Sequence, residues 1–400
     1  MLETSDDNPI PSVGRDLPAL DVTVADAFDS TIRDVTGRTY LDFTSGWCVG
    51  NFGWANPEIR DAVLAYKGPD YVYPSYQFQP WDELASLIGQ LTPRELTHSF
   101  RATGGTEAVE FALQMSMSHT GRKKFVAIQE SYHGHSLATL ALGGGEFNSR
   151  YLGTCNGFLQ LPLPLDRTAA IRLDELLKNG DVAAFIMEPV ICNLGSALPT
   201  QEFMTCARES CTRYGTLFIA DEVATGFMRT GEMFAFELFN IKPDIICLAK
   251  SITGGYGSLG VAVTTSSIAR SMHYEMSTYS TFGWHPRSTI AAIATIRYMM
   301  RNRQELRQNV LDVASIFRKE LPDTARYTLR AAGLAIALIF SEGADVSHIV
   351  RTTQKRGLLV SQLDSRTLSI FPALTISPEE ALRGIRILQT TLHELGYASI

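Results

Sequence analysis

The chain has 400 residues, 45% of them hydrophobic and 19% charged, an ordinary globular composition with room for two domains. Its net charge of −7 argues against nucleic acid or an anionic membrane as a partner. Six scattered cysteines lack any CxxC pair, the start Met1–Ser12 is too polar for a signal peptide, and Leu334–Phe340 is far shorter than the roughly 18 apolar residues that span a bilayer. Together these predict a soluble cytoplasmic protein with free thiols.

Residues 1–18 read as a loose polar arm. Ala25–Phe28 and Thr39–Phe43 read as two strands flanking the turn signal Asp34-Val35-Thr36-Gly37-Arg38. Ser45–Trp54 holds two of the four tryptophans and is either a packing loop or an aromatic wall for a small ligand. Helical spacing covers Pro57–Ala65 and Trp81–Leu91. Thr103-Gly104-Gly105-Thr106 then opens an amphipathic helix through Ala108, Phe111, Ala112, Met115 and His119. A Gly-Gly-Thr step at a helix N-terminus offers free N–H groups, a positive dipole end and a hydroxyl to an anion. Glycines also precede many helices that bind nothing.

Lys124–Gln129 reads as a strand. Tyr132, in the loop Ser131–His135 after it, is a surface tyrosine or a ring that stacks on a planar ligand. Ala183–Met187 is a further buried strand, ending at Glu188-Pro189-Val190. Thr200–Tyr214 is helical with Gly215 as its C-terminal stop. Strand and helix alternate from about 80 to 265, which predicts a doubly wound parallel α/β sheet with helices on both faces. Beyond it come helices Pro286–Asn302 and Arg303–Glu320, a long strand-like stretch Thr328–Phe340 and a helix Asp345–Arg356. Short strands Leu358–Leu363 and Thr367–Phe371 follow, then a helix opened by the capping box Ser377-Pro378-Glu379-Glu380. This tail reads as a small α+β unit.

Two apolar runs carry the chemistry. Thr216–Ala220 stops at Asp221, and Ile245–Ala249 stops at Lys250. Ligands of open α/β sheets gather at the carboxyl ends of strands, so one end delivers a carboxylate there and another an amine. A charged residue after a strand is commonly just where the chain meets water. Here four glycines follow the lysine within Ser251–Gly260, which permits close backbone approach. A lysine so placed suits Schiff-base chemistry, and pyridoxal phosphate needs that lysine plus an acid for its pyridinium nitrogen.

With Asp221-Glu222-Val223-Ala224-Thr225-Gly226-Phe227-Met228-Arg229-Thr230-Gly231, Pro243-Asp244 and Lys250-Ser251-Ile252-Thr253-Gly254-Gly255, the chain resembles the class III pyridoxal-phosphate-dependent aminotransferases from about residue 25 onward. The resemblance implies fold type I, with a mostly parallel seven-stranded sheet in a large cofactor-binding domain (45–285) and a small domain from residues 1–44 plus 286–400. It implies a homodimer and small-molecule amine and keto-acid substrates exchanging an amino group by ping-pong chemistry. By position, Lys250 would form the Schiff base and shuttle the proton. Asp221 would hold the ring nitrogen, and Val223 and Tyr132 would sandwich the ring. Gly105 and Thr106 would hold the phosphate, Thr281 would reach the partner subunit's phosphate, and Glu188 would give support from behind.

The departures bear on substrate. Ala224 stands where many members carry glutamine, Met228 replaces a usual glycine, and Trp284-His285 replaces Gly-Asn. The arginine that binds an α-carboxylate in acetylornithine- and ornithine-type enzymes is Ser369 here, and a mobile arginine of ω-transaminases matches Gln362. Arg366 is the candidate substitute, and Trp47 the candidate pocket wall. These features predict an aminotransferase for a primary amine or non-α amino acid. An aminomutase or racemase on the same scaffold is the alternative, and a non-catalytic protein of the same fold the remote one.

Overall fold

The computed structural model describes residues 22–145, 157–272 and 279–397. The expected N-terminal arm lies outside the described residues. Three strands rather than two follow it: β1 (Val24–Phe28), β2 (Thr31–Asp34) and β3 (Thr39–Asp42), an antiparallel meander. A tight turn with Asp29 at φ 45° makes the extra hairpin. The predicted 34–38 turn joins β2 to β3, because the Asp34 carboxylate accepts from the Thr36 and Arg38 N–H groups (2.9 and 3.0 Å).

The central sheet has seven strands: β4 (Leu96–Ala102), β5 (Lys124–Ile128), β6 (Phe158–Leu161), β7 (Val182–Met187), β8 (Leu217–Asp221), β9 (Ile245–Leu248) and β10 (Gly260–Thr265), in the order β4-β10-β9-β8-β7-β5-β6. Strands β7, β8 and β9 are wholly buried, which is why each reads as an unbroken apolar run. The pairs from β9 to β6 are parallel, but β10 runs antiparallel to both β9 and β4. The sheet is therefore mostly parallel with seven strands, as the resemblance implies, and β10 is the strand that reverses. The link from β9 to β10 is a 3₁₀ turn and a glycine loop, too short for the crossover helix a parallel return requires.

The C-terminal sheet corrects a second expectation. Thr328–Phe340 is not one strand but a hairpin of β11 (Tyr327–Ala332) and β12 (Ala335–Phe340), turned at Gly333 with φ 56°. Likewise Leu358–Leu363 is split. β13 (Leu358–Leu359) pairs in parallel with β3, while β14 (Ser361–Gln362) joins β15 (Thr367–Ile370) and β12. The chain's N-terminal strands and its C-terminal third are thus hydrogen-bonded to each other.

The helices follow their caps. Thr200 caps Gln201–Tyr214 and Gly215 ends it at φ 63°. The Ser377–Glu380 capping box opens Pro378–Glu394 with both reciprocal bonds made. Helix Pro286–Arg301 packs on Pro57–Ala65, on Gln79–Leu91 and on the turn Lys250–Thr253, stiffening the lysine's position from behind.

Gly333 has no room for a side chain. A Cβ there would sit 2.5 Å from the Thr230 carbonyl carbon and 2.7 Å from Arg229 O, both backbone, at a left-handed φ. Gly333→Ala is expected to lower stability by about 2–4 kcal/mol in denaturant titration. Gly343→Ala, where a Cβ meets nothing within 4 Å, should show only the smaller cost of its own left-handed φ.

Candidate active site

The parallel register of β8 and β9 pairs Asp221 with Cys247, and that of β7 and β8 pairs Met187 with Ala220. Glu188, Asp221 and Lys250 therefore emerge on one sheet edge. Lys250 is half-buried and begins its 3₁₀ turn at φ 48°, a left-handed conformation unusual for a residue with a side chain. Such strain persists where the surroundings impose it, commonly at functional sites.

Asp221 is 3% exposed. Its Oδ1 accepts from the Val223 N–H (3.1 Å), and its Oδ2 accepts from Nδ1 of buried His133 (2.7 Å). His133 Nε2 lies 3.0 Å from Ser131 Oγ, which donates to the Ile128 carbonyl (2.7 Å). The carboxylate is thereby fixed in orientation and facing the edge where the lysine stands. His133 is a residue the sequence reading missed. The loop it lies in was singled out for Tyr132, while the contact depends on β5 and β8 flanking β7.

Helix Gly105–Thr120 starts from an extended Gly104 with no side-chain cap, so its first-turn N–H groups stay free for an anion. A Cβ on Gly105 would meet Val223 Cγ1 at 2.9 Å and Ala249 Cβ at 3.7 Å, so this helix end is pressed against the aspartate and lysine strands. Thr106 Oγ1 accepts from the His135 N–H (3.2 Å), leaving its own proton to donate. Tyr132 is 51% exposed above the edge, and Asn193 ties down its loop, accepting from Tyr132 N (3.2 Å) and donating to Glu130 O (2.8 Å). Gly105, Thr106, Tyr132, Val223, Asp221, Glu188 and Lys250 are thus brought together.

Thr281 lies exposed in a turn after the sheet, beside Phe282, whose ring is 5.7 Å from that of Tyr71. Arg366 is not brought to the group. It is exposed at the start of β15, with its Nε donating to Phe340 O (2.9 Å), while the strand runs on toward Phe371. Trp47 is half-buried at φ 58°, its ring 5.4 Å from that of Phe371. The same buried cluster holds Cys48, Val190, Cys192, Ala224, Ala332 and Ala335. Ser369 is fully buried, with its hydroxyl unpartnered among the described residues.

Two of the departures find physical reasons. Met228 sits at φ 73°, which explains why glycine is usual there. Trp284 is a core residue, 1% exposed, with Nε1 donating to Gly260 O (2.9 Å) and its carbonyl accepting from Trp81 Nε1 (2.7 Å).

Arg229 is buried without a carboxylate partner among the described residues. Nη1 donates to Leu334 O (3.1 Å) and Pro372 O (2.6 Å), and Nη2 to Ser45 Oγ (3.3 Å) and Asn51 Oδ1. It ties the aspartate loop to the N- and C-terminal segments. Burial pulls its guanidinium below the ordinary arginine value. Burial likewise pushes Glu188 well above the usual carboxylate range, with the charge of Asp221 adding to it. Burial raises Glu222 to about 7, against opposing bonds from Thr225 Oγ1 (2.5 Å) and Phe236 N (2.9 Å).

An anion-ready helix end, a buried acid aimed at the sheet edge, a tyrosine above it and a strained lysine opposite fit pyridoxal phosphate: a slot for phosphate, a partner for the ring nitrogen and an amine for the aldehyde. This arrangement defines a pyridoxal-phosphate enzyme of fold type I. A sequence model of the family described as Aminotransferase class-III matches residues 13–392, and the chain belongs to that family. It is a pyridoxal-phosphate-dependent aminotransferase.

Solved structures agree. An aminotransferase of Bacillus anthracis is 25% identical over 96% of each chain, with a TM-score of 0.89. The taurine:2-oxoglutarate aminotransferase of Bifidobacterium kashiwanohense, solved with pyridoxal phosphate and glutamate, is 26% identical over 94% of this chain and 93% of its own, with a TM-score of 0.86. The ornithine aminotransferase of Plasmodium yoelii shares the fold at 22% identity over 95% of this chain and 96% of its own, with a TM-score of 0.81.

Glu222 offers a test of the buried charge arrangement. Holding its carboxyl at about 7, above the ordinary 4.5, makes the protonated form worth roughly 3 kcal/mol to the fold. Because the folded value is raised, this stability is complete below pH 4.5 and is lost as pH rises through 7. Unfolding free energies measured between pH 4.5 and 7.5 should therefore fall with pH less steeply in Glu222→Gln than in the wild type. Equal slopes would contradict the assignment.

Proposed function

We propose that this aminotransferase moves an amino group from a primary amine or non-α amino acid to a keto acid, by ping-pong chemistry. The observation that carries the reading is the character of the pocket wall. We take that wall to be the half-buried Trp47, its ring paired with buried Phe371 behind it and packed with Cys48, Val190, Ala224, Ala332 and Ala335. Arg229, which bonds to Ser45 and to the Pro372 carbonyl next to Trp47 and Phe371, lies fully buried with both Nη atoms engaged by carbonyls and side-chain oxygens. Ser369 offers a hydroxyl, and Arg366 sits at the far end of its strand. A donor whose reacting end bears a carboxylate would meet no bidentate partner on this wall, forgoing a few kcal/mol of charge-assisted bonding.

When bound, pyridoxal phosphate supplies the electron sink. The chain's own residues do the rest. Lys250 would hold the cofactor through its Nζ, and the same amine would take and return the proton at the substrate's amine-bearing carbon. Asp221, oriented by His133, binds the ring nitrogen and keeps its proton in place. Val223 and Tyr132 would bracket the ring, and Gly105 and Thr106 would hold the phosphate at the helix end. Exposed Tyr71, Tyr73 and Phe282 around the Thr281 turn support a homodimer, with Thr281 reaching the partner's phosphate. The chain works in the cytoplasm on this reading. Among the described residues no helix is long and apolar enough to cross a membrane.

A panel of amines and amino acids, each mixed with the loaded enzyme without a keto acid, tests the reading through the cofactor's absorbance. Arylalkyl amines should convert it, and an added keto acid should restore it. Trp47→Ala should lower kcat/KM for such amines by about tenfold while leaving cofactor affinity unchanged. Isomerisation or epimerisation of one amino acid, with no amine converting the cofactor, would overturn it.

A further inference from the structure

Glu188 follows β7 at the edge where Asp221 and Lys250 emerge, and it is 4% exposed. Its Oε2 makes one long contact, accepting from Cys192 N at 3.4 Å, and its Oε1 is buried without a partner. An ionised carboxylate holds about four acceptor sites and is costly to bury unless charges or donors satisfy them. The groups that face Glu188 are Asp221 and Glu222 from the end of β8, Cys192 from its own loop, and Lys250. Two are acids and one is a thiol. The cation among these groups, Lys250, would no longer be a free ammonium with the cofactor in place. Neither the hydrogen bonds nor the neighbours suit an anion. A proton on Oε1 removes the buried charge, but then needs an acceptor that the described residues do not provide.

We propose that Glu188 is a neutral carboxylic acid whose Oε1–H donates a hydrogen bond to an oxygen of the bound ligand, on the cofactor ring or on the keto acid. It is then a direct binding contact in the site, beyond the supporting role the resemblance implies. The inference rests on the aminotransferase reading only for the identity of the ligands. The protonation state can be measured apart from turnover.

Infrared spectra of the loaded wild-type enzyme, grown with and without ¹³C-glutamate, should show a protonated-carboxyl stretch at pH 8 that moves with the label and vanishes in Glu188→Gln. Absence of that band in the wild type overturns the proposal, and this arm needs no variant to fold. Glu188→Ala removes the donor, whereas Glu188→Gln keeps one. If the acceptor is on the cofactor, the alanine variant weakens pyridoxal phosphate binding about tenfold and glutamine restores it. If it is on the substrate, cofactor affinity holds while KM for pyruvate rises about tenfold and glutamine restores it. Wild-type values of both constants in the alanine variant would overturn the proposal. A carboxyl band in an enzyme that no amine converts leaves this inference standing and removes the substrate reading instead.

Discussion

The site depends on one register. Because β8 and β9 run parallel with Asp221 opposite Cys247, the chain leaves both strands at the same edge, one with a carboxylate and the next with an amine. Neither group is free to adjust. His133 and the Val223 N–H fix the aspartate, and the lysine, at a left-handed φ, is fixed by opening a 3₁₀ turn backed by helix Pro286–Arg301. A shift of one residue would send every side chain of a strand to the opposite face. The apolar interiors of β7, β8 and β9 therefore hold the chemistry in place as much as they hold the fold.

Strain gathers where the site is built. Ser45, Trp47 and Cys48 in the aromatic loop, Phe227 and Met228 after the aspartate, and Lys250 itself all have positive φ. Conformations of this kind cost about 1–3 kcal/mol each and survive only when the surroundings over-determine them. Arg229 is one of the restraints. It reaches from the aspartate loop to Ser45 and Asn51 on one side and to Leu334 and Pro372 on the other. Its guanidinium thus ties the loop after Asp221 to the segments that carry Trp47 and Phe371.

How much of this was legible in the sequence follows from the range of each interaction. Asp221 and Lys250 could be read because each closes an apolar run, and the anion-ready helix because its glycines and threonine are contiguous. The hairpin at Gly333 was also signalled locally, by a glycine inside a strand-like stretch, but the apolar pattern on either side hid it. His133 was not legible, since its partner lies 88 positions away and meets it only once β5, β7 and β8 are ordered in the sheet. The reversal of β10 was likewise hidden in the length of a loop. Arg366 misled because nearness in sequence to Ser369 and Phe371 is not nearness in space. An extended strand carried it about 16 Å from Phe371.

Lys250, on the same edge as Asp221, would hold the cofactor. Borohydride reduction of the enzyme loaded with pyridoxal phosphate, followed by peptide mapping, tests it most directly. A phosphopyridoxyl label is expected on the peptide carrying Lys250. A label on any other lysine, or none at all, would contradict it.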